Sequence, residues 1–326
     1  MLTLFAIPKP FDGHCGVIQR NAITSWLALD PKPEVILIGR DAGIEEIVRE
    51  FSLGWIPDVE HTQHGTPLLD DAFRRVAARA QFPRLCYVNC DIIFTQSLPE
   101  TLRKLPSTGF LAVGRRTNVD LTTVAGAADL RDETFIGRLA AGGRLESPFA
   151  IDYFLFPSRR ELWEIPPFAV GRPGWDNWMI YNAISHRLPL VDVTDGVLAL
   201  HQNHGYQHVP MGRGNTWEGP EADYNRRLAG SPDRLKYSML DATHRYVPRF
   251  GLVPVPGGLA AVIKRLIADR PGLKWPLEII GFPWLRLERM KRHRMKKRGY
   301  PASPQTQDGK TARLSSPNAQ DPRRGI

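Results

Sequence analysis

Cysteine is scarce in this chain, with only Cys15, Cys86 and Cys90 among 326 residues. An odd and small number of thiols excludes a disulfide framework and points to a reducing compartment, the cytoplasm. Cys86 and Cys90 are four apart in a strand-like run and neither joins a CxxC pair, so a thiolate zinc site has no starting point. Long apolar runs are missing as well: no stretch reaches the ~18 residues that a membrane-spanning helix needs. Met1 to Ile7 run into Pro8 without a basic n-region or a long apolar core, so no secretory signal is read there. GxGxxG, GxxxxGK[ST], HExxH and GxSxG are absent, which leaves dinucleotide, P-loop, zincin and hydrolase-elbow readings without their motifs.

The body also lacks a charge surplus. The formal net charge is +9, yet residues 286–326 hold 12 Lys/Arg against 3 Asp/Glu, and residues 1–285 hold 31 of each. A duplex-binding fold needs its positive charge on the folded surface. No nucleic-acid partner is therefore expected for the body. Apolar residues make up 42% of the chain, enough for a real core in one large or two ordinary domains.

What is present, in the first half, is an alternation of strand and helix signals. Leu2–Ile7 is a short apolar run closed by Pro8 and Pro10. Ile18, Ala22, Trp26 and Leu29 recur at helical spacing, and Ile23 and Leu27 widen the stripe. Val35–Ile38 predicts a second strand and Ala42–Phe51 its helix. Pro67, placed at a first helical turn, predicts a helix over Leu68–Ala80. Leu85–Val88, Phe110–Val113 and Phe149–Phe156 predict further strands. This alternation gives an α/β fold with a mainly parallel central sheet and helices on both faces, and ligands of such sheets lie at the carboxyl ends of the strands.

Beyond Tyr246 the texture changes. Pro248, Pro254, Pro256 and Gly257-Gly258 mark a linker, followed by a modest helix at Leu259–Ala268. Trp275–Met290 is rich in Leu, Ile, Phe and Trp and runs into a basic stretch ending at Arg298, and Pro283 is expected to interrupt any single long helix there. From Pro301 the composition predicts disorder. The chain divides into residues 1–247, the α/β domain; 248–300, a linker with helices and a basic amphipathic segment; and 301–326, a disordered tail.

The sharpest chemical signal is Asn89-Cys90-Asp91 after the Leu85–Val88 run. Alternate residues of an extended chain point the same way, so Asn89 and Asp91 are expected to share a face. A carboxylate inside a doubly buried strand costs several kcal/mol unless paired, which puts Asp91 at the strand end with a cation or donor. Two readings stand: a cap on the next turn, or an oxygen ligand to a divalent cation that bridges to a diphosphate. Arg115 and Arg116 end the fourth strand, either as surface residues or as guanidinium forks facing phosphate. Gly171 to Trp178 form a Gly/Pro-rich loop opening a helix. Trp175 and Trp178 there offer faces for a sugar or base, or belong to the core, and Asp176 near the helix start is favoured in its ionised form. Asp152 sits amid a strongly apolar run and needs a partner. His201 and His204 are three apart after Leu198–Leu200, but no fourth ligand at a suitable spacing supports zinc.

Asn89-Cys90-Asp91, after its apolar strand and with Gly65-Thr66-Pro67-Leu68 upstream, resembles the DxD region of GT-A fold glycosyltransferases, with Asn89 standing where that motif has its first carboxylate. Ala6 to Phe11, Gln19-Arg20-Asn21-Ala22 and Ser25-Trp26 are similar to a bacterial family-2-like subgroup, and the likeness covers roughly residues 1–210. The resemblance implies a GT-A-like enzyme that moves a sugar from a nucleotide-sugar donor to a hydroxyl of a glycan or lipid-linked acceptor. It implies Mn²⁺ or Mg²⁺ held by Asp91, with His201 favoured over His204 as a second ligand. It places Lys9 and Asp41 on nucleotide-contacting loops, Asn89, Arg115, Asp152 and Trp175 around the donor, and Asp176 as general base of an inverting transfer. Each has a bland counterpart: a solvated lysine, an N-cap at Asp41 or Asp176, an arginine partner for Asp152, a structural histidine. Two rival functions remain, a nucleotidyltransferase on a related sheet and a non-catalytic, membrane-associated binding module. Residues 275–298 either lie on an anionic membrane at the inner face of the cell membrane or pack on the body with a solvated basic end.

Overall fold

The computed structural model describes residues 1–204, 217–255 and 258–297. The first half alternates as the apolar pattern predicts, with one additional strand, β3, that the pattern did not mark: β1 (Thr3–Ala6), α1 (Gly13–Leu27), β2 (Glu34–Ile38), α2 (Ile44–Phe51), β3 (Gly54–Ile56), α3 (Leu69–Arg79) and β4 (Arg84–Val88). There follow β5 (Ile92–Phe94), α4 (Ser97–Lys104), β6 (Leu111–Val113), β7 (Thr117–Val119), α5 (Ala127–Arg131), α6 (Glu133–Gly142), β8 (Arg144–Leu145), β9 (Tyr153–Pro157), α7 (Arg160–Trp163), α8 (Trp175–Ser185), β10 (Leu190–Asp192) and β11 (Ala199–Gln202). After the residues left undescribed come α9 (Pro220–Ala229), β12 (His244–Val247), β13 (Gly251–Pro254), α10 (Gly258–Asp269) and α11 (Lys274–Lys297).

Among the described residues the main sheet has the order β13-β12-β10-β6-β9-β4-β1-β2-β3. Most neighbours run parallel, while β9 runs against both β4 and β6, and β13 against β12. Side chains alternate between its faces with the two-residue period of a pleated strand. Phe5, Ile36, Tyr87 and Phe154 meet α3, α7 and α8 on one face; Leu4, Leu37, Cys86 and Leu155 meet α1, α2 and α4 on the other. Phe73 anchors the first layer, with ring centroids 5.0 Å from Phe5, 5.6 Å from Tyr87 and 6.0 Å from Phe156. A second sheet, β5-β11-β7-β8, stands beside the carboxyl edge of the first, with a small core of its own around Ile93, Val119 and Leu200.

Several sequence expectations change in three dimensions. Pro67 does not open α3. It forms an isolated bridge with His61, its carbonyl accepts from Val170 N–H, and α3 begins two residues later. The strand expected from Phe149 starts only at Tyr153, because Ser147–Ala150 turn first. Pro283 does not interrupt α11, which runs continuously through it. The proline is exposed, on the side of the helix where water can take up the lost backbone bond. The boundary read at residue 248 falls in the turn of the β12–β13 hairpin, which extends the main sheet at its edge. Arg298 and the tail from residue 301 lie outside the described residues.

α10 and α11 are fixed to the body by ions as well as hydrocarbon. Asp241, 1% exposed, pairs with Lys264 of α10 and Arg292 of α11, and Glu288 of α11 engages the same two cations. Gly281 lets the helices close up, since a Cβ there would stand 2.7 Å from Ile263. Removing one partner of a buried pair strands the other charge. Asp241→Ala is expected to lower unfolding stability by about 3–5 kcal/mol and to expose α10 and α11 to limited proteolysis before the sheet is cut. Urea denaturation and timed digestion check both.

Candidate functional site

The site forms where β4 ends. The chain does not continue extended through Asn89-Cys90-Asp91 but turns, with Ile92 N–H donating to Asn89 carbonyl. Asn89 and Asp91 therefore point to different partners instead of sharing a face. Asn89 N–H donates to the Asp152 carbonyl at 2.9 Å, and its Nδ2 donates to Asp152 Oδ1 at 2.8 Å. The other Asp152 oxygen pairs with the Arg116 guanidinium. β9 runs antiparallel to β4, pairing Val88 with Tyr153, which brings residue 152 to the carboxyl edge of a mostly parallel sheet.

Of the alternatives for Asp152, the arginine partner is the one seen, and it is Arg116, not Arg115. Arg115 donates from Nε to the Glu146 carbonyl and from its backbone to Thr194 Oγ1. Burial works against the Arg116 charge, but Asp152 and Asp91 outweigh it and raise the guanidinium above its ordinary range. Arg116 Nε also donates to Asn118, which in turn donates to Glu146.

Asp91 faces two imidazoles. Its Oδ2 lies 3.1 Å from His204 Nε2 and 3.6 Å from His201 Nε2. The β5–β11 pairing, with His201 opposite Ile92, sets this up across more than a hundred residues. Burial opposes the Asp91 charge, but hydrogen bonds and charge from His201 and His204 hold its carboxyl well below the usual carboxylate range. The three side chains offer one ligand atom each, all within 4.8 Å of one another. Asp91 Oδ1 and His201 Nδ1 are buried without a hydrogen-bond partner among the described residues. One carboxylate and two imidazoles form a mixed oxygen–nitrogen donor set that fits a divalent transition ion. His204, set behind His201 on sequence position alone, is the nearer of the two.

A buried amide locks this arrangement. Gln202, fully buried, donates from its side chain to the carbonyls of Ile18 and Asp91 and accepts from Asn21 Nδ2. Asn21 also holds Thr123 and Ala125, while Ser25 and Trp26 bond the backbone of Phe94 and Ile92. Gln19 accepts from Lys9 N–H and donates back to Lys9 carbonyl. The polar residues of α1 thus fix the loops around the site from behind. Lys9 itself is exposed, and its charge, like that of Asp91, reaches Cys15 and Cys90.

Asp176 follows Gly174, whose φ of 102° places it in the left-handed region that favours glycine, at the start of α8. Surrounding protein raises its carboxyl to about 6, against amides at the helix start that favour the anion; the Asp152 charge adds to the rise. Trp175 does not offer a stacking face. It is 7% exposed, with Tyr87 at 5.2 Å and Phe154 at 5.1 Å between centroids, and Trp178 is likewise packed against Phe168 and Tyr181. Hydrocarbon under α8 claims both indoles. Asp41 is exposed and does not cap α2, whose N-cap is Gly43; desolvation raises its carboxyl and His61 opposes the rise. No described contact joins Asp41 to the Asp91 cluster.

Glu221, at the first turn of α9, went unnoticed in the sequence. It accepts from Thr62, Thr66 and Arg172, tying the loop before α3 to the loop before α8. Its partners are far apart in sequence, and nothing local marks it.

The Asp152–Arg116 pair yields a test of the network. Arg116→Met leaves a buried carboxylate unpaired and is expected to lower stability by about 3 kcal/mol, whereas Arg116→Met with Asp152→Asn recovers much of that loss. Chemical denaturation of the double-mutant cycle checks it.

No family model matches the chain, and no curated protein matches it. Among solved structures it is similar to the mannosyltransferase PcManGT from Pyrobaculum calidifontis in complex with GDP-Man and Mn²⁺, at 14% identity and TM-score 0.40, covering 61% of this chain and 56% of that one. It is similar to S. aureus TarS 1–349 in complex with UDP-GlcNAc, at 11% identity and TM-score 0.41, covering 68% and 61%, and to TarS 1–349 alone, at 10% and 0.42, covering 62% and 60%. The chain thus spans less than two thirds of each of these structures.

Proposed function

We propose that the protein is a glycosyltransferase that moves a sugar from a nucleoside-diphosphate donor to an acceptor hydroxyl. The observation that carries this reading is the convergence, at the carboxyl edge of the sheet, of Asp91, His201 and His204 with the Arg116–Asp152–Asn89 network. Negative charge grows on the departing diphosphate as the glycosidic bond breaks, so cations fixed beforehand stabilise the transition state more than the ground state. Arg116 is such a cation, half-buried and held in orientation by Asp152. Lys9, whose backbone Gln19 holds, brings a second, exposed cation on that loop.

Asp91, His201 and His204 would hold the divalent ion, and two imidazoles favour Mn²⁺ over Mg²⁺. The ion would supply positive charge against the diphosphate oxygens. Asn89 orients Asp152 and leaves Asp91 as the single carboxylate of the motif. Asp176 accepts the proton of the acceptor hydroxyl, and a carboxyl raised to about 6 is better matched to that task than an ordinary aspartate. Attack assisted from α8 gives inversion at the sugar carbon. Asp41 contacts the nucleoside from the loop after β2. The acceptor is a glycan or a lipid-linked sugar at the inner face of the cell membrane.

Donor binding raises the apparent stability of the native state. Among UDP-, GDP- and dTDP-sugars, the true donor is expected to raise the melting temperature selectively, more with Mn²⁺ than without, and donor turnover should release the nucleoside diphosphate. Release of pyrophosphate from an NTP and a sugar phosphate would instead mark a nucleotidyltransferase, and absence of any donor-induced shift would sink both. Asp91→Ala should abolish turnover while the fold persists by circular dichroism.

Asp176 gives a pH signature. As general base it must be deprotonated in the free enzyme, so kcat/KM is expected to rise with pH through about 6, and Asp176→Asn should lower kcat/KM by about 10²–10⁴ and remove that limb. Stability moves the other way. The folded state binds the proton more tightly than the unfolded chain, so this group destabilises the fold as pH rises from the ordinary aspartate range to about 6. Asp176→Asn should therefore be more stable than the wild type at pH 8 by urea denaturation, by on the order of 1–2 kcal/mol after allowance for its partial exposure, and lose that advantage below about pH 4. An unchanged pH–rate profile in the variant would remove Asp176 from the chemistry.

A further inference from the structure

α11 touches the body along one stripe. Leu277, Gly281 and Leu285 turn to Ile263 and Ile267 of α10, while Glu288 and Arg292 continue the stripe into the ion network with Asp241. The opposite side is divided along the helix axis. Its first part exposes Trp275, Ile279, Ile280, Phe282 and Leu287, with Trp275 74% and Ile280 69% exposed. Its second part exposes Arg286, Arg289, Lys291 and Arg294. The acidic residues of the helix are Glu278 and Glu288, and the latter is already engaged by Lys264 and Arg292.

We propose that this face of α11 docks on an anionic lipid surface. The aromatic and aliphatic part enters the boundary between headgroups and acyl chains, and the arginines and lysine lie against negative headgroups. Charge and polarity along the helix select this occupant. A second copy paired antiparallel would lay the basic part of one α11 over Trp275–Phe282 of the other, setting Arg286, Arg289, Lys291 and Arg294 against hydrocarbon with Glu278 as the single carboxylate to meet them. A parallel pair would set basic against basic. A membrane surface satisfies both parts at once, since its interior side takes apolar groups and its negative potential attracts each Lys or Arg. The charge surplus of the chain lies at this end while residues 1–285 are balanced, so the attraction is also oriented. No described helix is long and apolar enough to cross a membrane, which leaves α11 lying on the surface. This inference deepens the membrane-proximal part of the proposed function, yet it is read without donor or turnover.

The full-length protein, without substrate, is mixed with phosphatidylcholine vesicles with and without a phosphatidylglycerol fraction, at low and high salt. Sedimentation with the anionic vesicles alone, weakened by salt and accompanied by a blue shift of tryptophan emission, is the expected result. Arg289→Gln with Lys291→Gln should weaken binding roughly thirtyfold, two charges at about fivefold each, and Ile279→Ser with Ile280→Ser should remove the part that survives salt. Both pairs are exposed, so an unchanged melting temperature verifies that the variants fold. No vesicle binding, equal binding to neutral vesicles, or a concentration-dependent dimer dispersed by Ile280→Ser would each overturn the proposal. A protein that binds anionic vesicles but turns over no donor would leave the docking surface standing and remove the transferase reading.

Discussion

At the end of β4 the amide of Asn89 donates to the carbonyl of Asp152, and the Asn89 side chain reaches the carboxylate of the same residue. That double link exists because β9 runs against its neighbours. In a wholly parallel sheet only the carboxyl ends of strands gather at one edge. Reversing one central strand brings the residue before it to the same edge, and with it a second carboxylate. Asp152 then needs a cation, which Arg116 supplies from the chain that follows β6. The arrangement ties three sequence regions together at the place where a ligand of an α/β sheet is expected.

The electrostatics follow from this placement. Three carboxylates, Asp91, Asp152 and Asp176, gather around the edge, and their environments differ. Asp91 is lowered by two imidazoles, Asp152 is paired with a guanidinium, and Asp176 is raised by desolvation and further by the repelling charge of Asp152. Carboxyls separated in this way suit different tasks, one holding positive charge and one exchanging a proton. The buried Gln202 amide and the polar row of α1 keep the geometry fixed, because an amide with every group bonded has no competing orientation of similar energy.

α8 couples this edge to the C-terminal helices. It begins at Trp175–Asp176 and carries Tyr181, whose hydroxyl donates to Asp269 of α10 at 2.6 Å. The buried ion group of Asp241, Lys264, Glu288 and Arg292 then fixes α11. An apolar and basic surface is thereby held at a defined place on the body instead of trailing from it.

Periodicity was enough to place β1, α1, β2 and α2 and the alternation through β4, since burial on both faces of a parallel sheet writes continuous apolar runs. It also isolated Asp91 and Asp152, because a carboxylate beside apolar runs is costly unless it has a task or a partner, while Asp176 stood out by its place in a Gly/Pro-rich loop opening a helix. The sequence by itself determined those facts, together with the balanced body and the basic end. Only the tertiary structure decided which partners meet. The turn at Asn89–Asp91 splits two side chains that an extended chain would align; Arg116 replaces Arg115; His204 joins His201; Trp175 goes to the core; Pro283 stays inside α11; and Glu221 gathers loops that no local pattern connects. Each depends on strand order, strand direction or the packing of distant segments, and a one-dimensional pattern records what a residue prefers to be surrounded by, not which residue surrounds it.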